Sequence, residues 1–206
     1  MSDCIETDIL YENALARPAD VADWVMEGDG IASFPRGKMR QESLRPREAG
    51  QAGNIVHWCP LTFPDNISIS WEFQPLTEPG LAILFFSALG MNGEDILSAG
   101  LAERNGPYEQ YHHGDFNALH VSYFRRNPGE NEFQTCNLRK SFGFHLVAQG
   151  ADPSRPRVSL RTPIASRWLS AALVFRFTWV TKRRISPFSH GKTTACPTGP
   201  FWVRAR

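Results

Sequence analysis

From residue 66 to residue 74 apolar and polar side chains alternate without a break. Ile67, Ile69, Trp71 and Phe73 fall on one side, and Ser68, Ser70, Glu72 and Gln74 on the other. A period of two carried by β-branched and aromatic residues predicts a strand with one buried face. Pro64-Asp65 and Pro75 punctuate its ends. Residues 81–89 form a continuous apolar run, which suits a strand covered on both faces, and a turn follows over Gly90 to Gly93. Residues 117–126 alternate again. Leu119, Val121 and Tyr123 point one way, and His120, Ser122, Phe124 and Arg126 the other. Asn127-Pro128-Gly129 supplies a turn, residues 132–138 a returning strand, and residues 142–149 a further strand. The best helical stretch is a short turn around Pro18 to Trp24. Strands at this spacing with Gly and Pro between them predict an all-β sandwich or jelly roll.

Charge divides the chain in two. Residues 1–152 carry all 21 acids and 11 bases, whereas residues 153–206 carry 11 bases and no acid. At ordinary composition about six acids are expected in a segment of that length. A basic arm for nucleic acid or membrane is one explanation. It gives no reason, however, for the same segment to lack Asn, Gln and Tyr as well, since these residues bind nucleic acid readily. A shifted reading frame in a GC-rich gene removes all of them together, because their codons share a central A. The chain therefore divides into a domain over residues 1–152 and a basic tail over 153–206, read as out-of-frame translation. Residues 164–180 are largely apolar, but Arg167 and Arg176 and the β-branched content argue against a spanning helix.

The N-terminus has no basic start or apolar core of a secretory signal, which favours a cytoplasmic protein. Cys4, Cys59, Cys136 and Cys196 lack metal-type spacing and read as free thiols. No metal site and no cofactor are expected.

Long stretches of the chain resemble a known family. They are residues 81–88 (LAILFFSA), 111–115 (YHHGD), 120–126 (HVSYFRR), 136–141 (CNLRKS) and 143–147 (GFHLV). They are similar to the YesU-like family, a domain family of unknown function (DUF1961), over roughly residues 24–153. The resemblance implies a concanavalin A-like lectin/glucanase jelly roll in proteins associated with plant-polysaccharide use. Family members continue with strands holding a Trp-Glu-Asp-Asp-Gly stretch and a Tyr-Gly-Pro turn, which are missing here. Residues 189–200 can be encoded so that another frame spells them. The sandwich is accordingly expected to be incomplete, with its last strands absent and the tail irregularly paired.

The candidate groove residues are rich in His, Tyr, Arg and Asn. Arg104, Tyr111, His112, Arg126, Asn137 and Arg139 are assigned to substrate binding, because guanidinium groups bind carboxylates in a fork and amides and imidazoles bond hydroxyls. His120 and Tyr123 are the catalytic candidates. Tyr123 shares parity with Leu119 and Val121, so it acts only if its hydroxyl reaches the groove. His145 in an aromatic strand is expected to be a core histidine. Three activities fit this inventory: binding of an oligosaccharide or polysaccharide fragment, lyase chemistry on uronate glycans with a Tyr or His as base, and hydrolysis. Hydrolysis ranks last, because the Glu-x-Asp-x-Glu strand pattern is missing. A membrane-binding or nucleic-acid-binding tail is the alternative from a different class, and neither is the expected partner.

The frame reading has a direct test in the nucleotide sequence over codons 145–206. Restoring one base near codon 153 is expected to open a frame that contains the missing acidic and tyrosine-bearing strands. If no frame restores them, the basic segment is a real divergence of the protein.

Overall fold

The computed structural model describes residues 8–65, 67–77, 80–126, 135–152, 173–178, 191–194 and 201–205. Side chains from Arg126 and from the three last segments lie outside the described residues. The strands in chain order are β1 (Ile9–Asn13), β2 (Val25–Glu27), β3 (Gly30–Ser33), β4 (Arg40–Ser43), β5 (Val56–Phe63), β6 (Ile67–Phe73) and β7 (Gly80–Gly90). They continue with β8 (Phe116–Arg126), β9 (Thr135–Lys140), β10 (His145–Ala151), β11 (Leu173–Thr178), β12 (Gly191–Thr194) and β13 (Phe201–Ala205). Short 3-10 turns supply the remaining regular structure, including one at Pro18–Val21. Among the described residues no helix is long and apolar enough to cross a membrane.

Two antiparallel sheets form the sandwich. One runs β1-β13-β6-β11 and the other β10-β9-β8-β7-β12-β5-β2, with β3-β4 as a separate hairpin. The expected all-β jelly roll is therefore present. The inner faces meet in one apolar core. β6 contributes Ile67, Ile69, Trp71 and Phe73, the set its alternation predicts. β7 adds Ala82, Leu84 and Phe86, and β8 adds Val121 and Tyr123. The two layers are also tied by a polar bond: Trp71 Nε1 donates to the Tyr123 hydroxyl at 2.9 Å, wholly inside the core.

Two expectations are corrected here. The first concerns Phe124, which parity places beside His120. Its backbone turns to φ 47° and the β7–β8 register shifts nearby, between Gly80 and Ala82. This bulge rotates the Phe124 ring into the inter-sheet core against Phe73. The second concerns the closing strands. β11 pairs with β6 over six consecutive residues, β13 lies between β1 and β6, and β12 lies between β5 and β7. All three come from the basic segment that was expected to pair irregularly; β12 does shift register between Lys192 and Thr194, whereas β11 and β13 pair regularly with β6. Without partners both sides of β6 would expose unpaired N–H and C=O groups, and the sequence LVFRFT of β11 has the β-branched and aromatic content that a strand needs.

β7 is covered on both faces, as its apolar run predicts. Ile83, Phe85 and Ala88 face outward into a second cluster with Trp58, Phe116 and Ala118. The switch of parity between Phe86 and Ala88 comes from a bulge at Ser87, where φ is 51°.

His57 on β5 is buried, with Nδ1 accepting from the Gln41 amide at 3.0 Å and its ring against Trp24. Burial lowers its pKa to about 4. Because the folded value lies below the unfolded one, the unfolded chain binds the extra proton between these limits. The neutral histidine therefore stabilises the fold fully above about pH 6.5, and that contribution fades as the pH falls towards 4. At pH 5 a loss of roughly 2 kcal/mol is expected from this group. Denaturant titrations at pH 7.5 and 5 should show it, and His57→Gln should reduce the difference by about that amount. Tyr123→Phe is expected to cost about 1–3 kcal/mol by stranding the buried Trp71 N–H. Unchanged stability in that variant would show that the cross-sheet bond contributes nothing.

Candidate functional site

The outer face of the seven-stranded sheet carries the polar residues of β8 and β9. Residues 91–115 cover part of this face and pack Ile96, Leu97, Leu101, Tyr108 and Tyr111 onto Trp58, Phe85 and Phe116. This segment is held by a buried charge pair. The Arg104 guanidinium forks onto Glu27 of β2, with Nη2 2.7 Å from Oε1 and Nε 3.1 and 3.2 Å from the two oxygens. Nη2 also donates to the Ile96 carbonyl at 2.8 Å, and the Tyr111 hydroxyl donates to Glu27 Oε2 at 2.9 Å. The guanidinium lies 5.0 Å from the Phe116 ring centroid. Burial and the neighbouring Glu27 carboxylate raise the Tyr111 pKa, so its phenol stays protonated. Arg104 and Tyr111 were assigned to substrate binding; both are instead buried in the structural contact that fastens this segment.

Tyr123 is also removed from the outer face, because its hydroxyl accepts the Trp71 bond inside the core. Asn137 lies on the outer side of β9 but is buried, and its Oδ1 accepts from Gln149 of β10 at 2.9 Å. The Arg126 side chain lies outside the described residues. His145, expected in the core, is exposed at the start of β10.

Three of the expected residues do meet. His120 of β8, Arg139 of β9 and His112 converge around Phe144, and Tyr108 joins them. Arg139 is paired with His120 across the β8–β9 ladder. Its guanidinium sits 4.0 Å from the Phe144 ring centroid, and Nη1 donates to the Phe144 carbonyl at 3.0 Å. Tyr108 stands edge-on to Phe144 at 5.8 Å, and the His112 ring lies 5.2 Å from it. His112 also stands edge-on to Tyr108 at 4.8 Å and touches His113 through the Nδ1 atoms. Burial first, then His113, lower the His112 pKa, and Glu109 opposes them.

His120 lies beneath this group. One ring nitrogen, Nε2, is 2.9 Å from the Tyr108 hydroxyl, and Nδ1 is 2.8 Å from Ser141 Oγ. Complete burial, reinforced by Arg139 and His112, lowers its pKa to about 3, so the ring is neutral near pH 7. Burial pushes the Tyr108 phenol up to about 12, with Arg139 and Arg125 opposing. Among the described residues no group of three or more His, Cys, Asp and Glu side chains is placed to hold a metal.

The backbone that builds this site is specialised. Ser141 is held by its N–H donating to the Ala118 carbonyl at 2.8 Å, and the chain then turns through Gly143 at φ 75° and Phe144 at φ 58°. The φ of 75° at Gly143 favours glycine there. The Gly143 N–H donates to the His112 carbonyl at 3.0 Å, tying this turn to the 3-10 turn at Tyr108–Tyr111. A phenylalanine at positive φ is uncommon, and here it goes with a ring left 38% exposed. Sequence reasoning left Ser141 and Phe144 out of the site and gave Tyr108 no role. The sequence signal available was the Gly143-Phe144 pair, a turn residue followed by an aromatic one.

A family model described as "Domain of unknown function (DUF1961)" matches residues 8–177. The "Uncharacterized protein YesU" of Bacillus subtilis (strain 168) is 51% identical over 145 residues, which are 70% of this chain. The match spans 64% of that relative, less than two thirds of its length. A crystal structure of a protein of unknown function with a galectin-like fold, from Bacillus subtilis, superposes with a TM-score of 0.77 at 35% identity. It covers 98% of this chain and 99% of that one. The sandwich, the family match over most of the chain and the identity to YesU agree, and the protein belongs to the DUF1961 family.

Proposed function

We propose that the protein binds carbohydrate on the outer face of its larger sheet, at the Phe144 shelf. The observation that carries this reading is the Phe144 ring itself, 38% exposed and held from below by Arg139. An aromatic face fixed in this way suits the apolar C–H face of a sugar ring. Arg139, His112 and Tyr108 around it offer hydrogen bonds to hydroxyl or carboxylate oxygens. The galectin-like fold of the solved relative supports the reading by analogy of fold.

Binding is favoured over lyase chemistry by the protonation states of the buried pair. Burial raises the Tyr108 phenol and lowers the His120 imidazole, and both shifts oppose moving a proton from Tyr108 to His120. His120 is also fully enclosed, so a sugar proton has no path to it. These two groups position the shelf, and neither is poised as a base at neutral pH.

Isothermal titration against a panel of plant-derived oligosaccharides tests the proposal. Phe144→Ala is expected to weaken the bound glycan about tenfold, the loss of ~1.4 kcal/mol of aromatic contact. Phe142 is equally exposed at 38% but lies outside the ring cluster, so Phe142→Ala is expected to change little. A glycan bound equally by the wild type and folded Phe144→Ala protein would place the sugar elsewhere.

A further inference from the structure

The direction of one hydrogen-bond chain identifies the class of sugar that the shelf takes, if the sugar-binding reading holds. Ser141 is fully buried, and among the described residues its hydroxyl has one partner, His120 Nδ1. A buried hydroxyl proton needs an acceptor. If Nδ1 carried the imidazole proton, Ser141 would have to accept it and its own proton would have nowhere to go. With Nδ1 bare, Ser141 donates to it and the imidazole proton moves to Nε2. Nε2 then donates to the Tyr108 hydroxyl 2.9 Å away. A phenolic proton lies in the ring plane on one of two sides, so with His120 donating on one side the proton occupies the other. Tyr108 thus has one direction fixed: it accepts from the protein and donates away from it.

Arg139 supplies the second half of the argument. Its guanidinium stacks on Phe144 and spends one N–H group on the Phe144 carbonyl. No salt bridge among the described residues involves it. The nearby imidazole is neutral, and Glu109 acts on His112. An arginine left unpaired on a half-buried aromatic shelf, beside a phenol that can only donate, presents donors and a positive charge without an acceptor.

We infer that Ser141 locks His120 as its Nε2–H tautomer, so that Tyr108 and Arg139 together form a donor-only subsite for a sugar carboxylate. The inferred ligand is therefore a uronate-containing oligosaccharide. A neutral hydroxyl can accept there, but it leaves the guanidinium charge uncompensated, and charge-assisted bonds are roughly twice as strong as neutral ones.

A matched pair of ligands separates this inference from the general sugar-binding reading. The probes are a 1,4-linked galacturonate trimer and the same trimer with its carboxyls reduced to alcohols. The acidic trimer is expected to bind about tenfold tighter or more. That preference should shrink in Tyr108→Phe, which keeps the ring and removes the donor, and in Ser141→Ala, which frees the tautomer. Nitrogen-15 spectra of the wild type should show His120 protonated at Nε2 and bare at Nδ1. Equal affinity for the two trimers, or binding of neither, overturns the acidic subsite, while sugar binding itself stands or falls on the oligosaccharide panel. A His120 proton found on Nδ1 overturns the relay even if the variants fold poorly.

Discussion

The buried fork between Arg104 and Glu27 is the contact on which the outer face depends. Residues 91–115 contain no strand, yet they place Tyr108 over His120 within hydrogen-bonding distance. A segment of that length has ample entropy to lose, and apolar cover from Ile96 and Tyr111 alone does not select one position for it. The guanidinium does so, because a buried charge without its partner is strongly unfavourable and only one geometry satisfies both carboxylate oxygens. Arg104 reaches β2, the far edge of the larger sheet, and simultaneously holds the Ile96 carbonyl within its own segment. The Tyr111 hydroxyl on the same carboxylate extends this registration to the 3-10 turn that carries Tyr108. The net worth of such a pair to stability is small against an apolar replacement. Its value lies in specifying where the segment sits.

Legibility in the sequence follows the range of the interactions. The faces of β6, β7 and most of β8 were readable, because strand parity is local and burial follows from it. Two bulges defeated parity where it mattered. At Phe124 one extra residue turned a predicted groove side chain into core, and at Ser87 another moved Ala88 to the outer cluster. The site was legible in part. His120, His112 and Arg139 were found because their residue types and parity were suggestive. Their settings were not, since Ser141 lies 21 residues from His120, and Glu27 lies 77 from Arg104. No periodicity couples positions so far apart. Phe144 was hidden for another reason: an aromatic residue after glycine in a strand-like stretch reads as core, and its exposure arises from the positive φ of both residues.

The basic segment separates two levels of inference. Its lack of acids, Asn, Gln and Tyr is a matter of side-chain composition. Its pairing with β1, β5, β6 and β7 concerns what a backbone does beside an open sheet edge. Ladder bonds run between peptide groups, so almost any stretch rich in β-branched and aromatic residues can occupy such a place. Composition can therefore depart from the family while the ladder stays filled. The comparisons reflect the same division: the sequence match covers 70% of the chain, whereas the structural one covers 98%.

The chemistry of the shelf turns on a distinction between a histidine that reacts and one that orients. A catalytic imidazole needs a pKa near the working pH and access to the reacting atom. His120 has neither, as its pKa is about 3 and its ring is enclosed by Phe85, Tyr108 and Ser141. The same burial that disables it as a base makes it dependable as a neutral spacer. A solvated histidine exchanges its proton between nitrogens and gains charge below pH 6.5. An enclosed one keeps a single tautomer over the physiological range, with its polarity set by the neighbour whose buried proton must be donated to it. Ser141 is that neighbour here, and the consequence passes outward through Tyr108 to whatever rests on Phe144. The residue most readily taken from the sequence for a catalyst is thus better suited to fixing which ligand atoms the surface accepts.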